Sequence, residues 1–366
     1  GLCIIFLVVG GCDQFGKIPH GAHLTKIKDS SNYDPVREEF LNLNRDVLNE
    51  MGKGHSFWDD PLKRLKHNYF FNKNETVPKV KLPEYTLGIP KDFGNSRDTI
   101  KFIWLGHSSL LVSIDDKILL IDPIFSRYAA PVPFLIKRFQ MPVIPIEDLP
   151  DIDHILISHD HYDHLDMETI AYFRNKNISF ITPLGVGSHL RRWGIDEKKI
   201  FELDWGESIE LKGLKFNCTP AQHFSGRMAS IRALKTLWAS WVVKSETKSF
   251  YFSGDSGYGQ HYKNIGRTHG PFNLVFMDSG QYNERWRAVH NMPEEVIQGF
   301  SDLQGEHLIP VHWAMFSLSL HNWYDPGLEI SKRAEIQNIS VLTPKIGEPV
   351  DLNRIISFEK WWENIK

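Results

Sequence analysis

Ile155-Leu156-Ile157-Ser158-His159-Asp160-His161-Tyr162-Asp163-His164-Leu165-Asp166 runs an apolar segment straight into three histidines and three aspartates. Its aliphatic residues favour a strand, so the histidines fall on the loop at the strand's end. Neutral imidazole and ionised carboxylate both ligate zinc and similar divalent ions, and spacing this tight lets one loop address two neighbouring ions. The His-x-His-x-Asp-His pattern is far more specific than a lone histidine pair. The plain alternative is a solvated polar loop with chance histidines. Within the pattern, Asp160, Tyr162 and Asp166 read as spacers that support the ligands.

One loop cannot complete two coordination shells, so His and Asp residues at later strand ends become candidates. Thr219-Pro220-Ala221-Gln222-His223 places His223 just after a strand. Tyr251-Phe252-Ser253-Gly254-Asp255 places Asp255 in a glycine turn after another, and Leu308-Ile309-Pro310-Val311-His312 does the same for His312. Each alone reads equally well as a structural residue. Their shared form, apolar strand followed by a lone ligand, is what a β-sandwich with a site at one rim requires.

The totals fit this. The 366 residues are 42% hydrophobic and 24% charged, which provides a sizeable core and argues against disorder. The net charge of −3, with no long basic run, gives no electrostatic footprint for nucleic acid. Of three cysteines, Cys3 and Cys12 lie at the extreme N-terminus and Cys218 is alone in the body, so no disulfide framework exists.

Leu2 to Val9 is an apolar run followed by Gly10-Gly11-Cys12-Asp13, with the length and small-residue ending of a secretory signal. It is too short to span a bilayer. Val9-Gly10-Gly11-Cys12 resembles the lipobox of bacterial lipoproteins, whose cysteine becomes the acylated N-terminus. Residues 1–12 are therefore expected to be a signal segment, and the mature protein a lipoprotein held in the bacterial cell envelope through Cys12. Residues 13–98 are expected to be a tether, an amphipathic helix and a connector. The helix would start at Asp34-Pro35, with Val36, Phe40, Leu43, Val47 and Met51 on one face. A Pro-rich connector runs to Pro90, and a hydrolase domain is expected over residues 99–366.

Short strands are expected from Thr99 onward, at 100–105, 110–114 and 117–121, the last two joined by an Asp115-Asp116 turn. Further strands fall at 155–158, 179–182, 214–219, 240–243, 249–252, 274–277 and 307–310. Helices fall at 167–175, 186–193 and 293–304. Between them, the loop from Ile124 to Pro150 is rich in Pro, Phe and Arg, and loops of that length are often functional.

The order of these features resembles the metallo-β-lactamase superfamily, and most closely the N-acyl-phosphatidylethanolamine-hydrolysing phospholipases D and their bacterial relatives. The resemblance covers roughly Thr99 to Pro349. It is carried by Trp104-Leu105-Gly106-His107, Ile121-Asp122-Pro123-Ile124-Phe125-Ser126, Lys137-Arg138-Phe139, Leu203-Asp204-Trp205, Leu237-Trp238-Ala239-Ser240-Trp241, Gly254-Asp255-Ser256-Gly257-Tyr258 and, after His290, Pro293-Glu294-Glu295. It weakens at Asp278-Ser279, where apolar residues are expected ahead of Gly280, and after His312. Those departures bear on the substrate pocket rather than the metals.

The resemblance implies an α+β fold, a four-layer αββα sandwich with an N-terminal extension. It implies two divalent metal ions, expected to be Zn2+. His159, His161 and His223 would hold the first, Asp163, His164 and His312 the second, and Asp255 would bridge both. Asp163, Asp255 and His290 would serve catalysis. Two ions about 3.5–4 Å apart lower the pKa of a shared water, deliver hydroxide to phosphorus and neutralise phosphoryl charge. The expected activity is therefore a zinc-dependent phosphodiesterase of phospholipase D type, acting on N-acylated phosphatidylethanolamine, a related phospholipid or another small phosphodiester. His107 and His321 are weaker candidates. Arg285 or Lys137-Arg138 would pair with phosphate, and Phe125, Tyr128, Phe134, Phe139 and Trp286 would line an acyl groove. Two rivals stand beside this reading. One is a lactonase using the same site; the other is a surface lipoprotein with a non-catalytic binding role.

Overall fold

The computed structural model describes residues 13–47, 73–132, 134–227, 233–355 and 357–366. The lipobox at 9–12 and the end of the expected helix, residues 48–51, lie outside the described residues.

Two seven-stranded mixed sheets form the body. The first contains β3 (Ile100–Trp104), β4 (Leu110–Ile114), β5 (Lys117–Ile121), β6 (His154–Leu156), β7 (Ser179–Pro183), β8 (Ile200–Leu203) and β16 (Pro349–Asp351), in the order β16-β3-β4-β5-β6-β7-β8. The second contains β9 (Ser208–Leu211), β10 (Leu214–Thr219), β11 (Ser240–Lys244), β12 (Ser249–Phe252), β13 (Phe272–Asp278), β14 (Gly305–Val311) and β15 (Ser340–Val341), in the order β15-β14-β13-β12-β11-β10-β9. Each is antiparallel through three pairings and parallel through the other three. Asp115 and Asp116, both at positive φ, make the two-residue turn between β4 and β5.

Every central strand is apolar on both faces, so both sheets are covered on both sides. Leu110, Val112 and Ile114 on β4 point inward to meet Phe250, Phe252 and Phe276 of the other sheet, with Phe102 edge-on to Phe276 at 5.4 Å. On the outside, Leu111, Leu120 and Ile155 pack against helices α2 (Met167–Phe173) and α3 (Gly187–Arg192). Tyr251, Val275 and Met277 pack against α4 (Gln260–His269), α5 (Pro293–Asp302) and α6 (Asp325–Gln337). The result is the expected αββα sandwich. Each such Leu, Ile or Phe contributes about 1.5–3 kcal/mol by leaving water. The expected strands stand within a few residues of the observed ones, but β8, β9, β15, β16, α4 and α6 were not foreseen.

The N-terminal extension departs from expectation. Residues 34–46 contain no helix: β1 (Tyr33–Asp34) pairs antiparallel with β2 (Glu39–Phe40), and Val36 is 90% exposed. The Asp34 carboxylate does accept the backbone N–H groups of Val36 and Arg37, as a helix cap would. Glu38 then takes φ +54 and the chain reverses. Residues 13–33 are not a free tether either. α1 (Gly21–Lys28) buries Ile27 in a cluster with Tyr33, Phe40, Leu237 and Trp238, and the Ser30 hydroxyl and Asn32 amide donate to Asp204.

Candidate metal centre

Because β5, β6, β10, β12, β13 and β14 all run the same way, their C-terminal ends open onto one rim of the sandwich. That rim carries the expected residues: His159, His161, Asp163 and His164 after β6, His223 after β10, Asp255 after β12, and His312 after β14. The two sheets approach closely here. A Cβ on Gly254, which has φ +56, would stand 2.8 Å from Ser158 Cβ and from Ala239 O, so this turn requires glycine.

The side chains form two adjoining groups. One ligand atom from each of His159, His161, His223 and Asp255 lies within 4.8 Å of the others, and the same holds for His107, Asp163, His164 and His312. Asp255 joins the groups: its Oδ1 lies 3.2 Å from His164 Nε2, and its Oδ2 lies 3.3 Å from His312 Nε2 and 3.6 Å from His223 Nε2.

The hydrogen bonds behind these side chains decide which nitrogens face inward. Ser158 Oγ donates to Asp122 Oδ2, so it accepts from His159 Nδ1 at 2.9 Å. His223 Nδ1 donates to Val289 O at 3.1 Å. His159 Nε2 and His223 Nε2 are thereby left as bare lone pairs, 2.9 and 3.2 Å from His161 Nδ1. His161 Nδ1 can donate to only one of them, so at least one lone pair stays unmatched unless a cation sits among them. In the second group, His164 Nδ1 donates to Asp122 Oδ2 at 2.7 Å and His312 Nδ1 to Asp278 Oδ1 at 3.0 Å, which turns both Nε2 atoms toward Asp163 and Asp255. Carboxylate-backed imidazoles of this kind orient and strengthen metal ligands. His164 Nε2 and Asp255 Oδ1 are buried without a hydrogen-bond partner. The donor set therefore fits two divalent ions.

Electrostatics agree. Burial opposes charge on His164 and His312, yet Asp255 and its neighbouring carboxylates outweigh it, holding His164 well above the usual range and His312 near 10. Burial likewise opposes charge on Asp163 and Asp255, but the His164 imidazole leads the groups that hold both well below the usual carboxylate range. His159 and His223 are driven well below theirs, chiefly by burial. Without an ion, protons on His164 and His312 supply the positive charge the carboxylates demand.

Three participants carried little or no sequence signal. Asp122, at φ +39 after β5, ties His164 to Ser158, whose backbone N–H also donates to it. His107, at φ +53, lies 2.8 Å through Nε2 from Asp163 Oδ2. Asp278 lies against His312 and His290, so the departure at this position reaches the metal centre as well as the pocket. His312, at φ +68, shares this positive φ with His107 and Asp122. The spacers tie the histidine loop to its surroundings. Asp160 accepts from Gly226 N and pairs with His189, the Tyr162 hydroxyl donates to Arg227 O, and Asp166 caps α2 while accepting from Phe125 N and Ser126 N.

Other candidates are scattered. Arg138 is buried and donates to Ile124 O and Gln140 O, so it is a clamp within the chain and offers no open phosphate contact. His321 stacks on Tyr282 outside both groups. The five aromatics do not share one lining: Phe139 packs on the central core, Phe125 on the outer one, and Phe134 is 86% exposed.

A family model described as a β-lactamase superfamily domain matches residues 117–313. An uncharacterized protein of Mycobacterium tuberculosis is 37% identical over 281 residues, which cover 75% of either chain. The N-acyl-phosphatidylethanolamine-hydrolyzing phospholipase D 1 of Caenorhabditis elegans is 32% identical over 283 residues, 71% of this chain and 78% of that one. Among solved structures, a metallo hydrolase from Ignicoccus hospitalis shares the fold with a TM-score of 0.52 at 20% identity, over 71% of this chain and 100% of its own.

Proposed function

The chain belongs to the β-lactamase superfamily of metal-dependent hydrolases, and from that premise we propose that it is a binuclear zinc phosphodiesterase of phospholipase D type, acting on an N-acylated phosphatidylethanolamine or a related phospholipid. The observation that carries the proposal is the pair of lone-pair-rich pockets sharing Asp255. His159, His161 and His223 would hold one ion, Asp163, His164 and His312 the other, and Asp255 both. When bound, two such ions acidify a shared water and neutralise phosphoryl charge.

The protein's own groups do the rest. Asp163 and Asp255 orient the attacking water, and His107 steadies the Asp163 carboxylate. A water oxygen bonds to phosphorus, the bond from phosphorus to the acylethanolamine oxygen breaks, and the water's proton ends on that alcohol. His290 is placed to carry it: Nδ1 lies 2.7 Å from Asp278 Oδ2, which leaves Nε2 for proton traffic.

A second observation favours a lipid over a soluble diester. Residues 127–129 run antiparallel to residues 136–138, joined by Ala129 N–H to Ile136 O and Arg138 N–H to Arg127 O, both at 3.0 Å. This paired base is seated beside the centre, where the Arg138 guanidinium lies over Phe316 and Phe316 meets His107 edge-on. Val132, Phe134 and Leu135 are exposed beyond this base, and Arg127 and Lys137 are exposed on it. Apolar side chains beside cationic ones suit an anionic bilayer surface. An anchor at Cys12 would hold the enzyme at that surface. Incubation with a defined N-acylated phosphatidylethanolamine should yield phosphatidic acid and the N-acylethanolamine by mass spectrometry. Lactone hydrolysis without diester turnover would replace this reading with the lactonase.

A further inference from the structure

Asp278 stands where the family resemblance leads one to expect an apolar residue. It is wholly buried at the end of β13 and joins three separate parts of the rim. Oδ1 accepts from His312 Nδ1 at 3.0 Å, and Oδ2 accepts from His290 Nδ1 at 2.7 Å and from the Ser256 backbone N–H at 3.2 Å. The residue is itself held from behind: its N–H donates to Ser253 Oγ at 2.8 Å, and Asn291 Nδ2 donates to its carbonyl at 3.1 Å. His290 and His312 stand as near-parallel rings, 5.1 Å apart and inclined by 22°.

Asp278, His290, His312 and Asp255 also gather closely enough to suggest a third ion position. The hydrogen bonds argue otherwise. Both Asp278 oxygens already accept from imidazole nitrogens, so the carboxylate's lone pairs point at N–H groups. Each of those imidazoles is thereby fixed in the Nδ1–H form, and its Nε2 is the nitrogen left for other work.

We infer that Asp278 is a positioning residue that sets the second metal position and His290 together. Through Oδ1 it turns His312 Nε2 toward Asp163 and Asp255, and through Oδ2 it fixes the ring that carries the proton to the leaving alcohol. Through Ser256 it also steadies the turn bearing Asp255. Only a carboxylate accepts from both imidazoles at once. An asparagine offers one oxygen, and its NH2 group faces the remaining Nδ1–H donor to donor. The inference rests on the binuclear reading above and adds to it that ligand geometry and proton delivery are not separable in this chain.

The test uses the whole protein, stripped of metal and titrated with Co2+, as wild type, Asp278→Asn, His290→Ala and the double variant. The ligand-field absorption reports each equivalent bound. Wild type should take two equivalents. Asp278→Asn should bind the second about 10–100-fold more weakly, with the first unchanged. His290→Ala should bind both equivalents normally yet release the N-acylethanolamine from a defined N-acylated phosphatidylethanolamine more slowly, and at saturating metal it should cost nothing further on the Asp278→Asn background. Normal binding of the second equivalent to Asp278→Asn, or equal slowing by His290→Ala on both backgrounds, would refute the positioning role alone. A wild type that takes only one equivalent would remove the binuclear reading as well. Should Asp278→Asn not fold, imidazole nitrogen NMR of the zinc-loaded wild type decides the matter: both His290 and His312 should carry hydrogen-bonded Nδ1 protons, and a bare Nδ1 on either overturns the inference.

Discussion

Asp122 Oδ2 lies 2.7 Å from His164 Nδ1, and both side chains are fully buried. The same oxygen accepts the Ser158 hydroxyl, which in turn accepts from His159, so one carboxylate orients an imidazole in each half of the centre. Burial pushes the Asp122 carboxyl upward, against the opposing pull of His164 and Ser158.

Removing this carboxylate therefore harms both halves. Asp122→Ala is expected to lower metal content and phosphodiester turnover by about 10–100-fold. Atomic absorption on the dialysed variant, beside its rate on bis(p-nitrophenyl) phosphate, measures both losses. Full metal content would mean that the His164 ring is held by other contacts.

His161→Ala or Asp163→Ala should abolish turnover while leaving the circular dichroism spectrum unchanged. His161 is only part-buried, and the buried Asp163 faces His107, His164 and His312, so neither supports the apolar core. Activity surviving both substitutions would contradict the two-ion assignment.

Metal uptake should release protons unequally. In the metal-free protein His164 lies well above its usual range and His312 near 10, so both are protonated at pH 7.5 and each must shed an Nε2 proton to bind an ion. His159 and His223 are already neutral. Affinity at the second position should rise with pH toward 10 and fall as pH drops, because protons compete for His164 and His312. Affinity at the first should stay flat near neutrality. Calorimetry in buffers of different ionisation enthalpy counts the protons, and equal release at both steps would contradict the charges assigned here.

Phe134→Ser combined with Leu135→Ser should lower turnover of lipid in anionic vesicles by about tenfold or more, with bis(p-nitrophenyl) phosphate hydrolysis unchanged. Both side chains are more than half exposed and lie away from the ligands. A parallel fall on the soluble substrate would show instead that this segment shapes the centre.

The histidine loop and the three distant strand-end residues that gather with it were readable because apolar runs announce strands and the residue after each was a metal-binding type. His107 was only a weak candidate, and Asp122 and Asp278 were not assigned to the centre. An aspartate after a strand reads as turn chemistry, and nothing local in either carboxylate names its partner, His164 for Asp122 and His312 for Asp278. The hairpin at 33–40 misled for a related reason. Asp34-Pro35 and the spacing of Val36, Phe40 and Val47 satisfy a helix locally, but Phe40 is claimed by Trp238 and Leu237 and its N–H by Leu234 O. Distant partners outweighed local preference.

The last strand closes the first sheet. β16 pairs with β3, Gly347 N–H donates to Trp104 O, and Trp361 packs among Trp104, Trp313 and Trp323. During synthesis, β3 emerges long before the segment that covers its edge. The N-terminal contacts with Asp204 and Leu234 wait as well, so an early strand edge and an early apolar cluster stay open until distant chain arrives. A nascent chain built this way keeps apolar surface open until synthesis is nearly complete, and the segment 117–313 by itself lacks β3, β4, β15 and β16.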